Sequence, residues 1–275
     1  MTCYDLHSHS TASDGSLTPE TLVARAIDQN VDVLALTDHD GTEGIKAAKQ
    51  AAIGTSLTLI SGVEISVTWA NSTVHILGLN IDADHARLQR GLTALRDYRV
   101  GRAEEIAQRL DKAGISGALE GAKKYASEIM LGRVHFAKFL VEKGHAKDIN
   151  AVFKRYLVRN KPGYVPGKWA RLEDAITWIN DAGGRAVIAH PARYRLTATK
   201  RCRLVTDFKE LGGVGLEVIS GRQHPEEVKT LARLAEQFEL YSSCGSDFHS
   251  PDNSWVELGR LAAMPESCVP IWQAF

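Results

Sequence analysis

Six of the ten histidines in this 275-residue chain, together with three carboxylates, stand where short apolar runs are interrupted or end. Imidazole mixed with carboxylate, with no thiolate, is a donor set for divalent transition metals. The stretch Tyr4 to Gly15, YDLHSHSTASDG, carries the first of these residues. In an extended chain residues i and i+2 point to the same face, so His7 and His9 present two imidazoles to one point, and Asp14 follows shortly after. An isolated His-x-His also fits a solvated loop, so the metal reading rests on repetition. His39 follows VDVLALTD, Glu64 sits inside LTLISGVEISV, and His75 sits inside STVHILGLN. His190 ends GRAVIAH, and Asp247 and His249 end LYSSCGSDFH. Burying so many polar groups costs several kcal/mol each without strong partners, and divalent cations supply those partners. At about four to five donors per metal, nine side chains with some bridging suit two or three metals. Manganese is the first expectation, with zinc or iron as alternatives.

These residues need a scaffold that gathers them. SLTPETLVARAIDQN reads as a capped amphipathic helix, with Ser or Thr before Pro19 and apolar residues at Leu22, Val23, Ala26 and Ile27. The run Val31 to Leu36 is too continuous for a half-exposed strand and suits a parallel strand covered on both faces. A helix is expected from about Thr42 to Ala52, followed by the strands bearing Glu64 and His75. Strand, helix, strand, helix, strand is the pattern of parallel βα units. In a parallel α/β barrel, side chains from the C-terminal ends of different strands converge on one mouth, which accounts for ligands drawn from the whole chain. From about Asp82 to Asn160 helical periodicity takes over, and RVHFAKFLVEKG places Phe136, Phe139 and Leu140 on one face with Gly144 as a stop. KPGYVPGKW then reads as a return to the strands, with helices at Leu172 to Ala182 and Pro225 to Phe238 between or beside them. GVGLEVISG supplies a further strand, carrying Glu217. The expected division is a barrel of residues 1–81 and 161–275 with a helical insertion, or cap, of residues 82–160.

Composition narrows the function. Lys plus Arg equals Asp plus Glu at 33 each, which argues against a surface built to hold long duplex nucleic acid. Between Glu120 and Arg171, however, 12 Lys or Arg face 4 Asp or Glu, so positive charge is concentrated there. The cysteines Cys3, Cys202, Cys244 and Cys268 are far apart and form no CxxC pair, which fits a reducing compartment. No basic stretch with a following apolar run opens the chain, and no window approaches the roughly 18 apolar residues of a membrane span. A cytoplasmic protein without membrane partners is expected.

The set DLHSHSTASDG, LTDHD, GVEIS, HILG, AHP and GSDFH resembles the polymerase and histidinol phosphatase (PHP) family of metal-dependent phosphoesterases, over nearly the whole chain. The resemblance implies a distorted (β/α)7 barrel with a trinuclear site at its mouth. Carried over, it gives His7, His9, Glu64 and Asp247 to one metal, and shares Glu64 with His75 and His190 at a second. Asp14, His39 and His249 fall to the third, and Asp38 orients a ligand. The helical insert and LGRVHFA, KPGYVP, AHPARY and EVISG make the chain similar to the bacterial 3′,5′-nucleoside bisphosphate phosphatase branch, whose members also act as 5′-to-3′ exonucleases on short RNA. Where many relatives read RPHxA, this chain has Arg133, Val134 and His135.

The chemistry expected of such a site is phosphate ester hydrolysis. Clustered metals lower the pKa of a shared water from about 16 toward about 7, so a hydroxide held by the His7, His9, Glu64 and Asp247 metal serves as nucleophile. The expected substrates are a nucleoside 3′,5′-bisphosphate, losing its 5′-phosphate, and short 5′-phosphorylated RNA, releasing mononucleotides. Arg133, Lys161 and Arg193 are the first candidates to grip the second, 3′-phosphate, since cationic side chains suit phosphate oxygens; His135, Tyr164 and His224 come after them. Three other readings stand beside this one. Histidinol phosphate or another small phosphomonoester is the nearest, an amidohydrolase also opens with His-x-His, and an inactive metal-binding module is the reading outside enzymes.

Overall fold

The computed structural model describes residues 2–126 and 130–275. Its strands are β1 (Tyr4–Asp5), β2 (Val33–Leu36), β3 (Thr58–Trp69), β4 (Ser72–Leu79), β5 (Ala170–Arg171), β6 (Arg185–Ile188), β7 (Gly215–Ser220) and β8 (Tyr241–Gly245). Seven of them run in the order β1-β2-β3-β4-β6-β7-β8, with β5 paired to the far part of β3. Beyond the two edges, Leu6 N donates to Cys244 O at 2.9 Å, Asp247 N to His7 O at 2.8 Å and His9 N to Phe248 O at 2.9 Å. These bonds draw the edges together, and the sheet is a nearly closed, distorted (β/α)7 barrel, as the sequence led one to expect.

One part of the parallel reading is corrected. β4 is antiparallel to both β3 and β6. Only Ala70 and Asn71 separate β3 from β4, and both adopt left-handed backbone, at φ 45° and 62°. Two such residues make a tight hairpin, whereas a parallel neighbour needs a crossover of about a dozen residues or more. The hairpin turns a liability into a placement. Because β4 runs backwards, its beginning lies beside the C-terminal part of β3, with His75 opposite Ser66 and Leu77 opposite Glu64.

Helices α1 (Pro19–Asp28), α2 (Ile45–Ala52), α7 (Leu172–Asp181), α8 (Ala198–Glu210) and α9 (Pro225–Gln237) pack outside the sheet. α1 starts as its sequence requires: Thr18 Oγ1 accepts from Thr21 N, and Pro19 occupies the first turn where no N–H is needed. α8 makes the crossover between β6 and β7 and buries Leu204, Val205 and Phe208. Within the ring Leu6, Ala35, Leu77, Leu79, Val187 and Ala189 pack together with Ile271.

Between β4 and β5 lie α3 (Ala86–Lys112), α4 (Ala118–Lys123), α5 (Arg133–Glu142), α6 (Ile149–Val152) and a π-helical turn at Phe153–Leu157. α3 belongs to two cores. Leu88, Leu92 and Leu95 join the large cluster under the sheet, while Ala103, Ile106 and Leu110 join a separate one with Phe136, Phe139 and Leu140. The sheet-side half of α3 touches α7 so closely that a Cβ on Gly91 would stand 2.5 Å from the Trp178 ring. α5 ends at Gly144 with φ 73°, the left-handed stop its sequence signals. Among the described residues no helix is long and apolar enough to cross a membrane.

Candidate metal centre

The segment after β1 leaves the sheet with alternate residues anchored. Ser8 donates through Oγ to Ala35 O at 2.7 Å and bridges to Phe248, so His7 and His9 on either side of it turn inward and are fully buried. Glu64 comes from the middle of β3, His75 from the start of β4, His39 from the loop after β2, and His190 from just past β6. Asp247 and His249 follow β8. All nine residues singled out by sequence stand in one cluster.

Their atoms converge. Around Glu64 Oε2 stand His39 Nδ1 at 3.0 Å, His9 Nε2 at 3.2 Å and His7 Nε2 at 3.3 Å. Glu64 Oε1 lies 2.8 Å from both His75 Nδ1 and His190 Nε2. Asp247 Oδ1 is 3.1 Å from His9 Nε2 and 3.3 Å from His7 Nε2. Asp14 is set further out, with Oδ1 3.3 Å from His249 Nε2 and Oδ2 3.9 Å from His39 Nε2. Three donor groups result: His7, His9, Glu64 and Asp247; His39, Glu64 and His75; and His9, Asp14, His39 and His249. Two details differ from the sequence-based division. His9 and His39 each enter two groups, and His190 contacts Glu64 without joining the group of His75.

The donor set fits divalent cations. Glu64 Oε2 and His39 Nδ1 are 3.0 Å apart, yet both are buried with no hydrogen-bond partner, as is Asp14 Oδ1. Buried atoms left this way cost about 1–3 kcal/mol each. Donors that converge without bonding one another are arranged for a shared third atom. Charge points the same way. Burial pushes the Glu64 carboxyl up, but His39, His75 and His7 outweigh it and hold it well below the usual range. Burial alone would drive the His7 and His9 protons off, but Glu217, Asp247 and Glu64 raise His7 well above the ordinary imidazole value, and Asp247 and Glu64 raise His9 to about 10. Burial, reinforced by His9 and His75, takes His39 down to about 3 against the opposing pull of Glu64 and Asp14. Without cations, protons neutralise the cluster.

A surrounding layer fixes these side chains. Glu217, fully buried on β7, stands with Oε1 2.9 Å from His7 Nδ1 and accepts from His190 N at 2.5 Å through Oε2. Asp38 accepts from Ser10 N, Ser10 Oγ and Ser13 Oγ at 2.6–2.8 Å, which ties down the loop carrying Asp14. His190 and Asp247 hold left-handed backbone, at φ 28° and 55°, a strain that tends to concentrate at functional sites. Gly245 has no room for a side chain, since its Cβ would stand 2.2 Å from His7 Cβ.

A cavity of about 200 Å³ opens beside Asp14, His39 and His75. Of the residues proposed from sequence for substrate, Arg133 and Tyr164 line it. Arg193 does not line it; it pairs with the Asp247 carboxylate and lines a neighbouring groove together with Arg133. His135 is buried; its Nδ1 accepts from Gly132 N at 3.0 Å and so caps α5, and burial takes its pKa down to about 4. Lys161 is exposed, and His224 is exposed at the N-terminus of α9; neither lines the cavity. What sequence reasoning missed is Arg99, Arg102 and Trp169. Arg99 donates to Asp40 and Ser66, Arg102 donates to Val165 O at 2.9 Å, and both guanidinium groups lie over the Trp169 ring, at 4.6 and 5.2 Å. Burial, with Arg133 and Arg99 as like charges, lowers Arg102 to about 10. Its Nε has no partner. Asp40 pairs with Arg99, while Arg102 and Arg133 bring positive charge to the cavity with no carboxylate partner among the described residues.

Comparison with known proteins agrees with this geometry. The chain is 50% identical over 272 residues to the 5′-3′ exoribonuclease Rnm of Escherichia coli K12, covering 98% of this chain and 92% of that protein. It is 44% identical over 274 residues to a 3′,5′-nucleoside bisphosphate phosphatase of Chromobacterium violaceum, covering 99% and 96%. A solved Chromobacterium violaceum structure, described as an amidohydrolase with bound sulfate and no metal, superposes with a TM-score of 0.94 at 45% identity, covering 98% and 94%. A family model for the PHP domain matches residues 5–186. The chain therefore belongs to the PHP family and is a metal-dependent phosphoesterase, a hydrolase of phosphate esters.

Proposed function

We propose that the nine donors hold two or three divalent cations, manganese first among them, and that the substrates are nucleoside 3′,5′-bisphosphates and short 5′-phosphorylated RNA. Residues 82–160 act as a cap that brings Arg99, Arg102 and Arg133 over the centre. The observation that carries this reading is the arginine-lined cavity opening directly off Asp14, His39 and His75. A centre for simple phosphomonoesters needs no second anion site. Histidinol phosphate, whose far end is cationic, would meet three guanidinium groups there.

Bound cations supply Lewis acidity, acidifying a water and neutralising charge on the phosphoryl oxygens. The protein's own groups do the rest. Glu217 and the His190 backbone fix the His7 and His190 rings. Asp40 and Ser66 hold Arg99, Val165 O holds Arg102, and His135, uncharged, fixes the start of the helix that presents Arg133. Guanidinium groups fixed this way can grip a phosphate without paying much further ordering entropy.

The orientation of the nucleotide follows from the two activities named for similar proteins. Release of a 5′-mononucleotide from the 5′ end of RNA breaks the bond between the first nucleoside's O3′ and phosphorus. The same geometry, applied to a nucleoside 3′,5′-bisphosphate, removes the 3′-phosphate. We therefore place the 3′-phosphate on the centre and the 5′-phosphate among Arg99, Arg102 and Arg133, the reverse of the sequence-based expectation. With the 5′-phosphate on the centre, RNA would yield phosphate and a 5′-hydroxyl chain. Adenosine 3′,5′-bisphosphate incubated with manganese-loaded protein is expected to give adenosine 5′-monophosphate, separated by ion-exchange chromatography. Adenosine 3′-monophosphate as product would restore the opposite orientation.

Glu217 supports the site at one remove. Carboxylates behind metal-ligating histidines are worth about 10- to 100-fold in metal affinity. Glu217→Gln keeps the volume and removes the charge behind His7, so manganese retained after dialysis against graded free metal should fall by that factor. Retention equal to wild type would reduce Glu217 to a packing residue.

A further inference from the structure

Separate from the arginine cavity, with which it shares no lining residue, a groove of about 500 Å³ runs outward between the turn after β6, the loop after β7 and the loop carrying Trp255. It starts at Arg193, whose guanidinium bonds the Asp247 carboxylate and reaches Ser220 Oγ at 3.3 Å. It ends on Trp255, which is 69% exposed and carries the Arg222 guanidinium 4.7 Å from its ring centroid. Gln223 also lines it; its Oε1 accepts from Ser220 N at 2.7 Å, while its buried Nε2 has no partner. A nucleoside bisphosphate, seated between the arginine cavity and the centre, uses none of this.

An RNA chain does extend that way. In the orientation proposed above, on which this inference rests, the first nucleoside lies on the cavity side and the scissile phosphate on the centre. The ester substituent of that phosphate, the second nucleoside, must leave by another route. The neighbouring groove past Tyr194 and Arg195 shares Thr73, Arg133 and Phe153 with the cavity and Arg193 with the groove ending at Trp255, so it joins the two, and its rings, Phe153 and Tyr194, are less exposed than Trp255. Single-stranded nucleic acid is held by cationic side chains beside an aromatic face, because every base has a face to stack. We infer that Trp255, with Arg222 against its ring, stacks the base of the nucleotide on the 3′ side of the scissile phosphate, and so serves RNA but not nucleoside bisphosphates.

The test sets a 5′-phosphorylated RNA dinucleotide beside adenosine 3′,5′-bisphosphate, with manganese-loaded wild type, Trp255→Ala and Trp255→Phe. Trp255→Ala is expected to raise KM for the dinucleotide about 10-fold, with KM for the bisphosphate unchanged and Trp255→Phe close to wild type. A dinucleotide abasic at its second position should show the raised KM already in wild type, with no further rise in Trp255→Ala. Binding without turnover gives a second reading: in EDTA the dinucleotide should quench tryptophan fluorescence more in wild type than in Trp255→Phe, where Trp169 in the cavity still responds, and an equal quench in both would count against the stacking role. Equal effects on both substrates, or none on RNA, would overturn the stacking role while leaving the function intact. Wild type that hydrolyses neither substrate would overturn the functional reading and this inference with it.

Discussion

Glu64→Gln is expected to abolish phosphate release from adenosine 3′,5′-bisphosphate for practical purposes, by about 10³-fold or more in kcat, and to lower the metal content of the purified protein. Five imidazole nitrogens lie within 3.3 Å of the two Glu64 oxygens, and the residue enters two of the three donor groups. The amide keeps the shape but supplies no charge, so the metal-free protein should also lose about 3–5 kcal/mol of unfolding free energy at neutral pH, the usual cost of leaving a buried charge partner alone. pH enters with a defined sign. In the metal-free chain the raised His9 contributes stability that is complete below its ordinary value of 6.5 and fades as pH rises through about 10. The depressed Glu64 contributes above the ordinary carboxylate range and is lost as acid reaches its lower folded value. Cations must displace the histidine protons, so manganese affinity rises with pH and loading releases protons. Metal analysis, denaturant unfolding in EDTA and steady-state kinetics check the variant. Wild-type metal content together with wild-type kcat would remove Glu64 from the centre.

The nine donors were legible because each breaks a local rule. A histidine or carboxylate inside an apolar run is costly to bury, so its presence in VEIS or VHIL marks a partner supplied from outside the run. The hairpin between β3 and β4 is legible too, since WANS is far too short for a parallel crossover, although the alternation of strands and helices before it suggests a parallel neighbour. Arg99 and Arg102 carried a signal of the same kind. The buried stripe of α3 runs Leu88, Leu92, Leu95, Arg99, Arg102, Ile106, Leu110, so two arginines occupy positions where the helix otherwise presents apolar side chains. Both lie ahead of the basic stretch between Glu120 and Arg171, of whose basic residues Arg133 lines the cavity. Glu217 was noticed on its strand but gave no sign of its partner, because the contact with His7 spans 210 positions and depends on how β7 and β1 meet around the ring. His224 and Lys161 show the converse. Basic residues in a suggestive stretch become helix caps or exposed side chains when the fold turns them away from the centre.

Arg102→Ala and Arg133→Ala are expected to cost about 10²- to 10³-fold in kcat/KM for adenosine 3′,5′-bisphosphate, as the loss of a charge-assisted grip on phosphate suggests, and only a few-fold for adenosine 3′-monophosphate. The two substrates share the scissile phosphate and differ in the 5′-phosphate, so their ratio isolates the cavity from the centre. Arg102 and Arg133 suit this test better than Arg99, because Arg99 also pairs with Asp40 inside the protein. Removing it would leave a buried carboxylate, and the loss would mix folding with binding. Arg102 is held by a carbonyl and the Trp169 ring, with no carboxylate, and two like charges oppose its own, so its removal should leave no buried charge unpaired. A variant that binds substrate worse while unfolding no more easily would carry that signature. Inorganic sulfate, competing for the same guanidinium groups, should inhibit hydrolysis of the bisphosphate more than that of the 3′-monophosphate, and Arg102→Ala should erase the difference. Equal losses on both substrates would mean that these arginines act on the scissile phosphate or on the fold, and that the 5′-phosphate binds elsewhere.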